Sequence, residues 1–117
     1  MEIKELTKEE LKKKLDAEEG FLLINVLSKA SFDSLSIEGS KNADVHQPDF
    51  LEKMEKLTDG DKNKEIVVYC ASFTCQASPS AARKLQEAGY ENVYDYSGGL
   101  ADWKEAGYPL EGDMITR

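Results

Sequence analysis

The stretch that decides the fold is VVYCASFTCQASPS, which runs over Val67–Ser80. It opens on a β-branched and aromatic run, which is typical of a buried strand. Cys70 follows that run directly, and a loop of small and polar residues leads to a Ser-Pro pair at Ser78, the pattern of an N-cap followed by a first-turn proline. The sequence therefore predicts a strand over Ile66–Tyr69 that delivers a thiol to a loop, and then a helix that Gly89 ends.

Helical and strand-like segments alternate along the rest of the chain, where apolar spacing, turn residues and a capping box at Thr7 set the boundaries. The further predicted helices cover Thr7–Glu18, Lys29–Leu35, a segment that begins near Pro48 and carries Phe50, Met54 and Leu57, and Leu100–Ala106; the further predicted strands cover Phe21–Val26, Asn42–Val45 and Asn92–Tyr96. This alternation predicts an α/β fold with a parallel sheet. Ligand sites of such sheets lie at the carboxyl ends of the strands, which is where Cys70 lies.

Composition narrows the class of protein. A chain of 117 residues predicts one domain over 1–117, large enough to bury a core without metal or disulfides. The net charge of −8 argues against nucleic acid and membrane surfaces as partners. Two cysteines are too few for a disulfide scaffold, and the chain shows neither a signal peptide nor a membrane span, so we expect a cytoplasmic protein with reduced thiols. No feature of the sequence sets an oligomeric state.

The loop after Cys70 carries the predicted chemistry. Free amides at the start of the following helix favour negative charge, and loop amides gathered around the thiol would add to this effect. Both effects lower the pKa of a thiol, so Cys70 is the predicted nucleophile. Three alternatives stay open: Cys70 as a small buried side chain, a redox disulfide with Cys75, and a metal site of both cysteines with His46.

Two other kinds of cysteine chemistry fit the sequence less well. A cysteine-dependent phosphatase needs an arginine six positions after the nucleophile, where Cys70 has Gln76 and Cys75 has Ala81. A cysteine protease or transferase needs a histidine base, and His46, the one histidine of the chain, is remote from the loop in sequence.

The second half of the chain resembles the rhodanese (sulfurtransferase) family. The motifs that carry the resemblance are the strand ending Tyr69-Cys70, the helix AARKL from Ala81, the run AGYENVY from Ala88, the element SGGLADW from Ser97, and the Gly-Tyr-Pro ending at Pro109. Weaker matches lie upstream, in LINV at Leu23–Val26 and IEGS at Ile37–Ser40.

The resemblance implies a three-layer α/β fold with a central parallel sheet of about five strands and helices on both faces. It implies that the thiolate of Cys70 takes a sulfane sulfur from a donor (thiosulfate, a polysulfide or a persulfide), holds it as a persulfide, and passes it to a thiophilic acceptor. The loop that would bind the sulfur comprises Ala71, Ser72, Phe73, Thr74, Gln76, Ala77 and Ser78. Neither a metal nor an organic cofactor is implied, and the expected partners are a small sulfur-containing anion or a persulfidated protein.

Three departures from the family pattern change these expectations. Asn25 and Leu27 stand where the family has an Asp–Arg pair, and the loop is about two residues longer than usual. Between Cys70 and Ser80 the loop also lacks the basic residue that binds thiosulfate in the family. We therefore expect thiosulfate to bind poorly, because the net charge of −8 repels a dianion.

Cys75 is a further departure. It can act as a second thiol that attacks a persulfide on Cys70, or as the nucleophile itself with Cys70 as its buried neighbour, because it lies nearer the helix start. Two other functions stay open beside sulfur transfer: an inactive rhodanese-like binding module, and a dithiol redox protein that uses both cysteines.

Overall fold

The structure, a computed structural model, describes residues 3–114. Its strands are β1 (Lys4–Glu5), β2 (Leu22–Asn25), β3 (Ser36–Ile37), β4 (Lys41–Asn42), β5 (Ile66–Tyr69), β6 (Val93–Tyr96) and β7 (Leu110–Glu111), and its helices are α1 (Lys8–Asp16), α2 (Lys29–Ser34), α3 (Phe50–Thr58), α4 (Ala77–Glu87) and α5 (Gly99–Glu105). Five strands form one parallel sheet in the order β1-β6-β5-β2-β4, while β3 and β7 pair antiparallel beside it. The predicted α/β fold with about five parallel strands is therefore confirmed.

Side-chain alternation along the strands divides the core into two layers. On one face of the sheet Ile24 and Val68 pack against Met54 of α3 and Leu85 of α4. On the other face Val67, Tyr69 and Tyr96 belong to a second cluster with Leu11 of α1 and Trp103 of α5. Helices thus cover both faces, and each strand of the centre is buried on both sides, as parallel sheets require.

The hydroxyl of Tyr69 is the centre of a buried polar network on the second face. It accepts hydrogen bonds from the Ile37 amide at 2.9 Å and from the Asn25 side-chain amide at 3.2 Å, and it lies 2.8 Å from the Ser40 hydroxyl. The Asn25 side-chain oxygen accepts from the Leu27 amide at 2.9 Å. Every member of this network is uncharged, so Asn25 is held by neutral hydrogen bonds alone.

The predicted boundaries match the structure closely, with three exceptions. Pro48, predicted in the first turn of its helix, lies before that helix, which begins at Phe50 with Asp49 at the cap position. The capping box at Thr7 is confirmed, since Thr7 and Glu10 exchange hydrogen bonds of 2.9 and 3.1 Å. The brief strand predicted over Asn42–Val45 instead occupies Lys41–Asn42. The N-cap predicted at Ser78 is wrong, because Gln76 occupies the cap position and α4 begins at Ala77, two residues before Pro79, the predicted first helical residue. Within residues 3–114, none of the helices has the length and apolar character needed to cross a membrane.

Candidate active site

The loop between β5 and α4 lies at the carboxyl edge of the parallel sheet, and α5 holds its first residues. The amides of Leu100 and Ala101 donate to the carbonyl oxygens of Cys70 and Ala71 at 3.0 and 2.9 Å. Gly99 allows this approach, because its φ is +64° and a Cβ there would lie 2.5 Å from the Cys70 carbonyl oxygen. The path of the loop is therefore fixed by backbone contacts with the start of α5.

Cys70 points into the core. It lies on the same face of β5 as Ile66 and Val68, it packs in the cluster beneath α4, and its exposed fraction is 1%. Its thiol has one proton and two neighbouring acceptors, the Ser78 hydroxyl at a sulfur–oxygen distance of 3.5 Å and the Cys75 sulfur. Burial raises the pKa of the Cys70 thiol, and a hydrogen bond to Cys75 raises it further, against smaller opposing effects of the Ser78 hydroxyl and amide. The predicted gathering of amides around Cys70 is thus reduced to a single amide.

Cys75 has the surroundings that the sequence predicted for Cys70. It is half-buried, it precedes the first turn of α4, and the amides of Ala71 and Ala77 donate to its sulfur. Partial burial raises the pKa of Cys75, but the hydrogen bonds from the Cys70 thiol and the two amides outweigh it and lower the pKa below the ordinary cysteine range. Both cysteines are free thiols. The accessible, activated sulfur of this pair is therefore that of Cys75.

Ser78 has a different position from the predicted cap. It lies in the first turn of α4, its exposed fraction is 1%, and its side chain faces the sheet between Cys70 and Asp95. Pro79 fits the same turn because the first amides of a helix have no intrahelical acceptor. The serine is therefore part of the thiol site as a buried hydroxyl.

Asp95 belongs to this site and was missed by the sequence analysis. Its side chain, with an exposed fraction of 4%, faces α4 from the strand next to β5. Burial raises the pKa of Asp95, a hydrogen bond from Ser78 lowers it, and the charge of Glu5 raises it. One signal could have indicated it. Asp95 lies two residues after the buried Val93 on β6 and therefore on the same face of the strand, so an acidic side chain occupies an inward position near the carboxyl end of a strand.

The remaining loop residues form the rim of the site. The hydroxyls of Ser72 and Thr74 lie 3.1 Å apart at the surface, Ala71 and Gln76 are exposed, and Ala77 is buried. Phe73 stands out from the tip of the loop with 69% of its surface exposed. It borders a groove of about 350 Å³, whose lining also includes Glu5, Leu6, Thr7, Lys8, Glu9, Tyr96, Ser97, Gly98 and Asp102.

Among the described residues, His46 does not join Cys70 and Cys75 in a group that could hold a metal ion. His46 is exposed on the segment after β4, where its ring lies 3.5 Å from Asp44. Within residues 3–114, no three or more His, Cys, Asp or Glu side chains come together as a metal site would require. The chemistry of this site is that of two interacting thiols, two loop amides, a hydroxyl and a buried carboxyl.

Comparison with known proteins identifies the family of this chain. The family model of the rhodanese-like domain matches residues 7–106. YtwF of Bacillus subtilis (strain 168), whose name describes a sulfurtransferase, is 37% identical over 106 residues, covering 89% of this chain and 93% of its own. Thiosulfate sulfurtransferase GlpE of Pseudomonas savastanoi pv. phaseolicola is 35% identical over 95 residues, covering 80% of this chain and 81% of its own.

A solved structure shows the same fold. The solution structure of the rhodanese-like domain of the Anabaena sp. protein Alr3790 superimposes with a TM-score of 0.82 at 28% identity, covering 100% of this chain and 84% of that one. Together with the sheet order and the cysteine loop at its carboxyl edge, these matches show that the chain belongs to the rhodanese-like family.

Proposed function

We propose that this protein is a sulfurtransferase that carries sulfane sulfur as a persulfide on Cys75. The observation that supports the proposal is the contrast between the two thiols. Cys75 is accessible, and two amides lower its pKa, whereas Cys70 is buried and its pKa is raised. The nucleophile is therefore the second cysteine of the loop, the alternative that the sequence left open.

The proposed reaction uses these contacts directly. The Cys75 thiolate attacks the sulfane sulfur of a donor, the donor leaves with the electron pair of the broken bond, and a persulfide forms on Cys75. The amides of Ala71 and Ala77 stabilise the negative charge on sulfur, as oxyanion holes do for oxygen. A thiol or cyanide then removes the outer sulfur and restores the thiolate.

The charge of the loop supports a persulfide or polysulfide donor over thiosulfate. No residue of 71–78 carries a positive charge, and the chain as a whole has a net charge of −8. A thiosulfate dianion would therefore meet repulsion without a cation to bind it. The exposed Phe73 beside the groove offers an apolar contact to the protein that carries a donor persulfide.

The test compares Cys70→Ala with Cys75→Ala after incubation with glutathione persulfide and removal of excess donor. Intact mass spectrometry detects bound sulfur as a gain of about 32 Da per chain. We expect the gain in Cys70→Ala and its absence in Cys75→Ala, with the circular dichroism of both variants unchanged. A gain in Cys75→Ala alone would assign the nucleophile to Cys70. No gain in either variant would make the domain a binding module without sulfur transfer.

A further inference from the structure

The buried carboxyl of Asp95 has no role in persulfide formation, and no cation of residues 3–114 neutralises it. Among residues 3–114 its Oδ1 atom has no hydrogen-bond partner, and the charged groups that face it are Glu5 of β1 and the Cys75 thiolate. From β5 the residue opposite is the apolar Val68. A buried carboxylate that lacks a counterion and half of its hydrogen bonds is costly, and such groups cluster at functional sites.

A line of hydrogen bonds connects this carboxyl to the inner thiol. The Cys70 thiol donates to the Ser78 hydroxyl at 3.5 Å, and that hydroxyl donates to the Asp95 carboxylate. Both Cys70 and Ser78 are 1% exposed, so the line runs through the core and away from solvent. Cys70 also contacts the Cys75 sulfur. The buried thiol therefore lies between a nucleophilic sulfur on one side and a route to a proton acceptor on the other.

We propose that Cys70 resolves the Cys75 persulfide and releases hydrosulfide, with Asp95 accepting the Cys70 proton through Ser78. The inference rests on the proposed function, since it needs the persulfide on Cys75. It adds an activity to sulfur carriage, the reduction of sulfane sulfur to sulfide by the protein's own dithiol.

The step balances as follows. The persulfide enters the step with a proton on its outer sulfur. The Cys70 sulfur attacks the Cys75 sulfur, the bond between that sulfur and the outer sulfur breaks, and the outer sulfur leaves as hydrosulfide with the electron pair and its own proton. The Cys70 proton passes to the Ser78 oxygen while the Ser78 proton passes to Asp95. The products are a Cys70–Cys75 disulfide, hydrosulfide and a neutral carboxyl. A dithiol reductant from solution then returns the disulfide to two thiols.

Asp95 suits the role of proton acceptor because of its burial. Burial raises the pKa of Asp95, so its carboxylate is a stronger proton acceptor than an exposed aspartate. An acidic thiol has no need of a base, but a buried thiol with a raised pKa stays protonated at neutral pH and cannot attack without one.

The test is a single turnover with glutathione persulfide in the absence of reductant and oxygen. We expect wild-type protein to release about one sulfide per chain and to lose about 2 Da as the disulfide forms. Cys70→Ala should keep its persulfide and release no sulfide. If Cys70→Ala releases sulfide as fast as wild type, or if wild type keeps the persulfide, Cys70 is not a resolving thiol. If Cys70→Ala gains no sulfur at all, the proposed function fails instead.

The role of Asp95 is tested by the pH dependence of sulfide release. Asp95→Asn should slow the release about 100-fold at neutral pH and remove the rise in rate that follows Asp95 ionisation. Glu5→Gln serves as the matched variant, because it leaves the Cys70–Ser78–Asp95 line intact and removes the charge that raises the pKa of Asp95. In Glu5→Gln the rise should move to lower pH. An unchanged rate in Asp95→Asn, or an unmoved profile in Glu5→Gln, would overturn the role of Asp95.

Discussion

Gly99→Ala tests whether α5 holds the active loop in its reactive shape. A Cβ at residue 99 would lie 2.5 Å from the Cys70 carbonyl oxygen and 2.9 Å from backbone atoms of Ala71 and Ser72. These distances are too short for any side-chain atom, and each neighbour is backbone that cannot rotate away. The loop must therefore move outward, which lengthens the hydrogen bonds that α5 donates to Cys70 and Ala71.

The expected cost has two parts. An alanine at a φ of +64° costs about 1–2 kcal/mol of backbone strain. Weakening two hydrogen bonds adds about 1 kcal/mol each. The free energy of unfolding should therefore fall by about 3–4 kcal/mol. Gly107→Ala is the matched control, because Gly107 has a φ of +77° and no atom within 4 Å of its Cβ position, so it reports the strain alone.

The assay has two parts. Urea unfolding is monitored by the fluorescence of the buried Trp103, and the thiols are alkylated at a series of pH values. Because the Ala71 amide is one of two that lower the pKa of Cys75, displacement of the loop should raise that pKa in Gly99→Ala and not in Gly107→Ala. Equal loss of stability in the two variants would show that the loop accommodates the methyl group. Equal alkylation profiles would show that the Ala71 amide does not activate Cys75.

Three further predictions concern charge at the site. At neutral pH iodoacetamide should modify Cys75 and spare Cys70. The pH profile of the Cys75 modification rate should have its midpoint below the ordinary thiol pKa of about 8.5, and a midpoint at or above this value would contradict the amide contacts. Because burial raises the pKa of Asp95, the native state favours the neutral carboxyl, and the stability that this form gives at low pH is lost as pH rises through the folded-state pKa. In urea unfolding Asp95→Asn should therefore be about 1–3 kcal/mol more stable than wild type at pH 8, and this gain in stability should vanish below about pH 4. A gain in stability that does not depend on pH would refute this reasoning. Thr74→Arg should lower the KM for thiosulfate about fivefold at low salt, equivalent to about 1 kcal/mol, while the uncharged Thr74→Gln should leave the KM unchanged. A KM that does not fall, or that falls equally in both variants, would show that the missing cation is not the reason for poor thiosulfate binding.

The strand–loop–helix order around Cys70 could be predicted because it follows from local patterns. Ile66–Tyr69 has a strong strand composition, and the small residues of α4 follow with helical spacing. The layer that Cys70 enters follows from the same alternation, since it continues the inward series of Ile66 and Val68. Its burial was among the alternatives because cysteine is often buried, but residue types alone did not separate a buried thiol from an activated one.

Which thiol is activated depends on contacts that no local pattern records. The amide of Ala71 reaches Cys75 because α5, almost thirty residues later in the chain, holds the loop. Asp95 faces the thiols through strand pairing between β5 and β6, which is again remote in sequence. The strands β1, β3 and β7 have two residues each, too few for any periodicity, and they form because neighbouring elements supply their hydrogen bonds.

The neutral network around Tyr69 has a consequence for how the two sides of the sheet respond to acid. Tyr69, Asn25 and Ser40 carry no charge between about pH 5 and 9, and burial raises the pKa of Tyr69 further from that interval. This network does not change its charge over that interval, whereas the layer beneath α4 holds a carboxyl and two thiols that ionise. A change of pH that ionises the thiols therefore leaves the hydrogen bonds around Tyr69 unchanged.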